Sequence, residues 1–561
     1  MGQEIIKITN KVNCYLLLFL ICSIFGINTL KAQVEHVPVV HPIYMYLLHL
    51  ENKGILEKFS LSCLPLQKKE IIRALEAADT HKPVLSEADI ELLEKYKREF
   101  GMMQSDIAVL IPSGTHSQQV ISGKMFSDCE KFIFYYKDSL YHSQVSPLAS
   151  AEVYAKNDSV FNKLGLATAG FRVSGTIAGM LGFYLQATNG RVVAGKRDLA
   201  LDDGKIQLNV KFTKLSSDID FTESHVIFQK DWFYAGMGRE TQLFGAGLNQ
   251  RVLISTNAPP FDEFDMGVKF DNFEYKFTHA SLLSKGTGND VGVGTVIPSK
   301  YLVIHRAAFK FNWGEIAYWE NIVYSERGID IGYLNPFSFL KSVEHALHDR
   351  DNSGMGLDFT ARPIRGLQLK GSFFVDDLWF EEIGKGNWTN KWSWNIAAMG
   401  ELIKSLDMGI EYARVEPYTY SHFNPSNNMT NDYRRFASII PANADMTSMM
   451  FRYWWGSRYP ITFNLSYVRQ GMNVYGANDS LVYNVGSDIF QTRRTANPDQ
   501  LATDAQYLKF LDGRRRNEVS LDIQTGIELW RGFSLSGIYK FSLIDEQKIH
   551  AFNMILKFED F

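Results

Sequence analysis

The sequence predicts an all-β transmembrane β-barrel of about 18 antiparallel strands with a small N-terminal α-helical module. Three observations predict this fold. Hydrophobic residues alternate with a period of two from about residue 145, short and long connections succeed one another, and the final residues form an amphipathic strand. Alternation alone also fits a soluble β-sandwich. The pattern of connections therefore decides between the two folds.

The first element is an export signal, predicted over residues 1–32. Lys7 and Lys11 give a positive start, residues 14–27 form an apolar run, and Ala32 offers a small residue for cleavage. The apolar run is too short for a comfortable membrane-spanning helix. We therefore expect an exported mature chain.

Residues 33–144 are predicted to form a periplasmic helical module and linker. The clearest helix begins at Ser86, which has Asp89 in the capping-box position, and Gly101 can end it. The mature chain keeps Cys63 and Cys129, whose spacing leaves open whether they pair. A structural role is favoured for this module over a catalytic one.

Residues 145–561 are predicted to form the barrel, because their connections alternate in length as those of an outer-membrane barrel do. The short connections, expected on the inner side, are 229–231, 271–272, 312–314, 362–366, 403–406, 455–460 and 530–532. The long ones, expected on the outer side, are 244–262, 283–300, 326–352, 376–391, 416–445 and 484–518. Tryptophans in or beside the short turns, which fit an interfacial aromatic girdle, are Trp232, Trp313, Trp454, Trp455 and Trp530.

Counted backwards, about sixteen strands reach residue 205, and residues 165–190 add about two more. This arrangement makes 205–212 a barrel strand and 190–204 a long inner turn. The terminal strand, which ends at Phe561, must close the sheet because lipid does not tolerate an open edge. Such a strand also resembles the sorting signal of outer-membrane barrels, which implies the barrel-assembly machinery as a partner.

Charge and motifs exclude several classes of function. The net charge is -4 and the pI about 6.4, so no basic surface predicts nucleic-acid binding. No catalytic motif stands out, and we predict no enzymatic activity, cofactor or metal. Glu344 and His348 are one helical turn apart and could in principle bind a metal. A solvated outer-loop helix is the favoured interpretation of that segment.

The predicted outer loops combine aromatic, amide and guanidinium groups, notably in 376–392 and 416–436. Aromatic faces stack on sugar rings, whereas amides and guanidiniums hydrogen-bond hydroxyls and carboxylates. The pattern is compatible with polysaccharide binding. Ordinary polar loop composition explains it equally well.

Residues 238–262, 351–377 and 416–428, with the helical N-terminal segment, resemble the Wzi-like capsule assembly family, in a Bacteroides-type variant. The resemblance implies a lectin-like barrel that holds capsular or extracellular polysaccharide at the cell surface, within outer-membrane lipid. The matching segments supply these candidate polysaccharide contacts: Arg239, Asn257, Asp376, Asp377, Tyr418, Tyr420, His422 and Asn424.

Two alternatives remain open at this point. A barrel of this size can also be a porin-like channel for sugars or small solutes. A barrel enzyme acting on glycans or lipids would need a nucleophile and a base close together at one strand edge, which sequence spacing does not reveal.

Overall fold

The structure is a computed structural model. It describes residues 33–559 except 104–105, 114–118, 121–122, 197–198, 200–210, 213–217, 258, 285–297, 349 and 494–502. The predicted export signal and Phe561 lie outside the described residues.

A closed antiparallel barrel of 18 strands forms most of the chain, as predicted. The last strand pairs with the first over His550–Glu559 and Leu148–Asn157, so the sheet has no open edge. In chain order the strands are β1 Tyr141–Asn157, β2 Phe161–Ile177, β3 Leu181–Gly195, β4 Asp218–Lys230, β5 Phe233–Glu240, β6 Phe261–Lys269, β7 Phe273–Leu283, β8 Ser299–Phe311, β9 Gly314–Ser325, β10 Asn352–Ile364, β11 Leu367–Asp377, β12 Lys391–Ile403, β13 Leu406–Val415, β14 Ala444–Tyr453, β15 Ile461–Met472, β16 Arg514–Trp530, β17 Phe533–Ile544 and β18 Gln547–Glu559.

Most short turns lie at one end of the barrel, the short-turn end, and the long connections lie at the other, the long-loop end, together with the short connections 158–160 and 545–546. One prediction about the first strands of the barrel is wrong. Residues 190–195 do not begin an inner turn, because they continue β3, which pairs directly with β4; residues 197–198 and 200–204 lie outside the described residues. Of the predicted strand 205–212, only Lys211–Phe212 is described, as a short strand on β4. The missing barrel strand is β1, whose many small and polar residues obscured it.

Alternation along the strands separates an apolar outer wall from a polar lumen. On neighbouring strands, Leu465 pairs with Leu521, and Leu556 pairs with Leu535. Leu465 and Leu556 are more than two-fifths exposed, whereas the lumen-facing Asp407 is fully buried. This is the arrangement expected when the solvent of the outer wall is lipid. In the described part of the chain, no helix is both long and apolar enough to cross a membrane.

The tryptophans of the short turns divide into two groups. Trp232, Trp313, Trp455 and Trp530 are substantially exposed at the short-turn end, where an interfacial girdle is expected. Trp454 instead turns inward and is 1% exposed. Its indole N–H donates to Asp407 Oδ2 at 2.9 Å.

The helical module comprises α1 Ile43–Asn52, α2 Lys68–Thr80 and α3 Glu87–Glu99. Ser86 and Asp89 form the predicted capping box of α3. After α1, Gly54 has a φ of +68°, a backbone conformation that favours glycine. The three helices share a core of their own, to which the barrel contributes Trp454. A further helix of the described residues, α4 Leu340–Ala346, lies in a long connection.

The module packs into the short-turn end of the barrel through polar contacts. His49 on α1 bonds Asp89 within the module and Asp407 on the barrel wall, each at 2.9 Å. Beside them, Lys53 Nζ lies 2.6 Å from Glu401 Oε1. These groups are buried, so each cation needs its carboxylate to offset the cost of leaving water.

Long connections fill the lumen above the module. Residues 241–260 turn inward, and Glu411 on β13 accepts three successive backbone N–H groups from Leu248, Asn249 and Gln250. The connection 416–443 reaches the same interior, where the Tyr420 hydroxyl donates to the Val252 carbonyl at 3.1 Å. The helical module, residues 241–260 and residues 416–443 therefore all cross the described part of the lumen.

Short elements complete the described structure. Cys63 and Cys129 are free thiols, which resolves the open question of their pairing. The linker contributes Ile107–Ile111, Gln119–Val120 and Glu130–Lys137, the last of which pairs with the start of β1. Short strand pairs are Cys63–Leu64 with Leu243–Phe244, Thr430–Asn431 with Arg434–Arg435, and Val474–Tyr475 with Leu481–Tyr483. The 3-10 turns are Lys82–Val84, Ile331–Tyr333, Phe380–Glu382, Pro425–Asn427 and Ala477–Asp479.

Candidate functional site

Three clefts open among the described long loops, and two of them contain predicted polysaccharide contacts; the third, of about 440 Å³, lies beside Trp392, Arg414 and Phe510 and contains none. The first, the Trp388 cleft, has a volume of about 120 Å³ and brings together the predicted contacts Asp377, Tyr418 and His422. The Tyr418 ring meets the Trp388 ring edge-on at 6.2 Å. The other residues around the cleft are Lys341, Glu344, Asp351, Asn352, Ser353, Lys391, Ser421, Phe423 and Arg493.

Charges in the Trp388 cleft are largely matched. Lys391 Nζ lies 2.8 Å from Asp377, and the Arg493 guanidinium lies 4.4 Å from the centre of the Trp388 ring. Burial, assisted by the nearby Lys391 charge, lowers the pKa of His422 to about 4. The imidazole is therefore neutral at pH 7, and its Nδ1 accepts the Asn424 backbone N–H at 3.2 Å. This cleft suits an uncharged polar ligand.

The second, the Arg434 cleft, has a volume of about 410 Å³ and contains Asn257, another predicted contact. Two tyrosines flank it: Tyr433 is 41% exposed and Tyr475 is 46% exposed. Arg434 and Arg435 also contribute to its wall. The rest of the lining is Gln470, Met472, Asn473, Ser487, Asp488, Ile489 and Phe490.

Electrostatics distinguish the Arg434 cleft from its neighbour. Burial lowers the pKa of Arg435 to about 10, which still leaves the guanidinium charged at neutral pH. With Arg434 beside it and Asp488 as the only carboxylate of the lining, the cleft carries net positive charge. Exposed aromatic faces next to guanidiniums can stack a sugar ring and pair with its carboxylate. An anionic saccharide is the ligand class that uses all of these groups.

The remaining predicted contacts lie outside both clefts. Tyr420 is 1% exposed, and its backbone N–H donates to Asp376 at 2.6 Å. Asn424 caps a short 3-10 turn and donates from Nδ2 to Glu326. Arg239 faces outward from β5 and pairs with Asp262 at 3.0 Å. In the structure Tyr420, Asp376 and Asn424 hold the loops in place.

Sequence reasoning did not single out Trp388, Tyr475 or Arg493 as ligand contacts. Trp388 lies in the connection between β11 and β12, whereas Tyr475 and Arg493 lie in the connection between β15 and β16, and the fold alone brings them to the clefts. Segment 376–392 was noted for its composition, which is the one signal that included Trp388.

One buried cluster has the composition of a metal site: His36, His225 and Glu240. The His36 backbone N–H donates to His225 Nε2 at 3.0 Å, so that ring nitrogen carries no proton. A neutral His225 then carries its proton on Nδ1, the atom that faces Glu240. Nδ1 of His36 also faces Glu240, at 2.9 Å. Hydrogen bonds from the two imidazoles to Glu240 account for this cluster without a metal ion. A metal bound to His225 Nδ1 would displace the only ring proton, so that His225 would have to be an imidazolate.

The segment 344–351, considered above as a metal site, has another role. Glu344 is 1% exposed and accepts from Lys341 at 2.8 Å and from Ser353 at 2.9 Å. His348 lies beyond the end of α4 with a φ of +70°. Glu344 therefore fixes α4 to β10.

The fold defines the class of protein: an 18-stranded barrel of the kind found in outer-membrane proteins, closed at one end by a helical module. Among solved structures the chain is similar to Wzi, described as an outer-membrane protein involved in group 1 capsule assembly in Escherichia coli and a carbohydrate-binding β-barrel. The TM-score is 0.57 at 10% identity, over 93% of this chain and 98% of that one. At this identity the likeness establishes the fold alone.

Weaker similarities include OccAB4 of Acinetobacter baumannii, with a TM-score of 0.44 at 11% identity over 74% of this chain and 97% of that one. OccK8 (OprE) of Pseudomonas aeruginosa has a TM-score of 0.43 at 9% identity over the same shares. No protein-family model matches the sequence, and no curated protein matches it.

Proposed function

We propose that this protein is an outer-membrane barrel that binds or retains capsular or extracellular polysaccharide at the cell surface. The observation that carries the proposal is the Arg434 cleft, in which two exposed tyrosines lie beside two guanidiniums at the long-loop end. The likeness of the whole fold to a carbohydrate-binding barrel supports it. The role is that of a non-enzymatic, lectin-like capsule assembly protein.

The orientation follows from the same proposal. The chain is exported by residues 1–32 and inserted by the barrel-assembly machinery, with the helical module in the periplasm. The long-loop end then faces the medium, which places both clefts where exported polysaccharide is found. Long extracellular loops and short periplasmic turns are the rule in bacterial barrels.

A binding role is favoured over the porin-like alternative by the contents of the lumen. The helical module, residues 241–260 and residues 416–443 all cross it, and buried contacts such as that between His49 and Asp407 hold them in place. A solute channel needs a continuous aqueous path. The lumen of this barrel is instead occupied by its own chain.

Complementation of a deletion strain tests the proposal in cells. We expect loss of surface capsule in the deletion strain, recovery with the wild-type gene, and poor recovery with an Arg434→Ala/Tyr475→Ala double variant. Arg350→Ala/Tyr507→Ala is the matched control, since both residues are exposed outside the Arg434 cleft. Normal capsule retention in the deletion strain would contradict the proposal.

A further inference from the structure

One long connection differs from 241–260 and 416–443, because it packs outside the lumen. Residues 326–351, which we term the arm, carry the 3-10 turn Ile331–Tyr333 and helix α4. The arm packs against β7, β8 and β9 through a cluster that contains Phe277, Val303 and Ile322. Which face of the sheet these residues occupy determines where the arm lies.

Strand parity places the arm on the outer wall. On β8, Leu302 and Ile304 belong to the lumen core, so Val303 and His305 face the other way. His305 pairs with Glu320, and the same face continues toward the short-turn end with Tyr318, which is 37% exposed. The cluster under the arm is therefore buried on the side of the barrel that faces lipid.

The arm covers polar groups that lipid would not tolerate. His305 Nδ1 lies 3.2 Å from Glu320, which accepts the Leu340 backbone N–H of the arm at 3.0 Å. Further up the wall, His279 Nε2 lies 2.8 Å from the Tyr324 hydroxyl, which accepts the Asp330 N–H. Unpaired polar groups in hydrocarbon cost several kcal/mol each. Under the arm these groups are 8% exposed or less.

The surface of the arm that faces away from the wall carries large exposed apolar side chains between residues 329 and 339, whereas its exposed polar residues lie mostly toward the two ends. Phe337 is 90% exposed, Ile331 82%, Ile329 55% and Phe339 48%. The arm also reaches far down the wall, because the Phe337 ring stacks 6.5 Å from the ring of Tyr275, the third residue of β7 from the short-turn end. The exposed apolar surface of the arm adjoins the apolar outer wall of the barrel, where Leu357 on β10 is 52% exposed.

We propose that the arm is a lipid-embedded element: it lies against the lipid-facing wall within the bilayer, shields the His305–Glu320 and His279–Tyr324 pairs, and presents Ile331 and Phe337 to acyl chains. The occupant of this surface is lipid, because the surface is continuous with the lipid-facing wall and an apolar patch of this kind is unfavourable in water. The inference rests on the proposed membrane location.

Site-directed spin labelling tests the proposal in reconstituted protein. A single cysteine replaces Phe337 in a Cys63→Ala/Cys129→Ala background of the full mature chain, and a nitroxide is attached in phospholipid vesicles. Leu357→Cys serves as the reference for the lipid-facing wall, and Ala477→Cys, at an exposed loop tip, as the reference for water. Collision rates with oxygen, which partitions into lipid, and with a polar nickel complex are measured at each position. Ile331→Cys provides a second position on the arm.

We expect positions 337 and 331 to collide readily with oxygen and to lose access to the nickel complex, as position 357 does. A label at 337 that collides with nickel as readily as one at 477 would overturn the proposal. Low collision rates with both reagents would also overturn it, since they indicate a covering protein, such as a second copy of this chain. Position 357 reports separately on whether the barrel itself is in the bilayer.

Discussion

At the scale of single residues, the same kinds of side chain serve two purposes. Tyrosines illustrate this: Tyr418 and Tyr420 are buried and hold loops together, whereas Tyr433 and Tyr475 present ring faces to the Arg434 cleft. Tyr418 and Tyr420 were named as candidate contacts because they lie in a segment that resembles the Wzi-like family, and the aromatic composition of that loop was compatible with the role. Whether a tyrosine side chain is buried or exposed depends on how segments distant in sequence pack together. The sequence of one loop therefore does not predict it.

Replacing Tyr475 by alanine should weaken binding of an acidic polysaccharide. Loss of one stacking face costs about 1 kcal/mol, which corresponds to roughly a fivefold rise in Kd. Equilibrium binding of purified acidic polysaccharide fragments to the detergent-solubilised protein measures the effect. Tyr507→Ala is the control, because Tyr507 is also exposed but does not contribute to the cleft.

Arg434→Ala should reduce binding of acidic fragments more than binding of the same fragments after their carboxyl groups are reduced. A charge-assisted hydrogen bond contributes about 1.5–3 kcal/mol, so the loss should be tenfold or more. Equal losses for both ligands would show that the arginine does not recognise the carboxylate.

His49 should make docking of the helical module sensitive to pH. Burial lowers the pKa of His49, but Asp407 and Asp89 outweigh that effect and raise the pKa to about 9. In the unfolded chain the pKa is about 6.5, so this contribution of roughly 3 kcal/mol is fully present below pH 6.5. It is lost as the pH rises through 9, because the folded imidazolium then releases its proton.

Thermal unfolding between pH 6 and pH 10 measures this dependence. We expect the unfolding temperature to fall across that range in the wild-type protein and to change less in His49→Gln. His81→Gln, on the exposed surface of the same module, is the control and should behave as the wild type. A pH profile that His49→Gln leaves unchanged would contradict the assignment.

At the scale of elements, period-two alternation and connection lengths predicted most of the strands correctly. The capping box of α3 and the stop at Gly101, which has a φ of +70°, were also readable, because caps depend on local backbone chemistry. Strand β1 was missed because "YHSQVSPLASAEVYAKN" has few large apolar residues. The short outer connections 158–160 and 545–546 show that alternation in length is a tendency, and neither the lumen-filling loops nor the arm has a periodic signature.

The outer wall can be tested with one substitution on each face of β16. Leu521 pairs with Leu465 on the outward face, and Leu521→Arg should destabilise the folded barrel in lipid by about 2–4 kcal/mol near the middle of the bilayer. Gln524→Arg adds the same side chain on the opposite face and should cost much less. Unfolding in urea with the protein in phospholipid vesicles gives both values, and equal costs would contradict the register of β16.

At the scale of the whole molecule, a barrel wide enough for a channel is filled by its own chain. The helical module has a separate hydrophobic core and contacts the wall through buried ion pairs and hydrogen bonds, such as Lys53 with Glu401. Above it, inward loops meet around Val252 and Tyr420. This division leaves the long-loop clefts as the surface where a polymer can bind while the barrel stays closed.

Single-channel recording in planar lipid bilayers tests this account most directly, because it distinguishes a filled barrel from a porin. We predict that the purified full-length mature protein inserts without producing a steady ohmic current. A steady, reproducible conductance step at each insertion would show a continuous aqueous path through the lumen, and it would contradict the account of a barrel that acts through its outer loops.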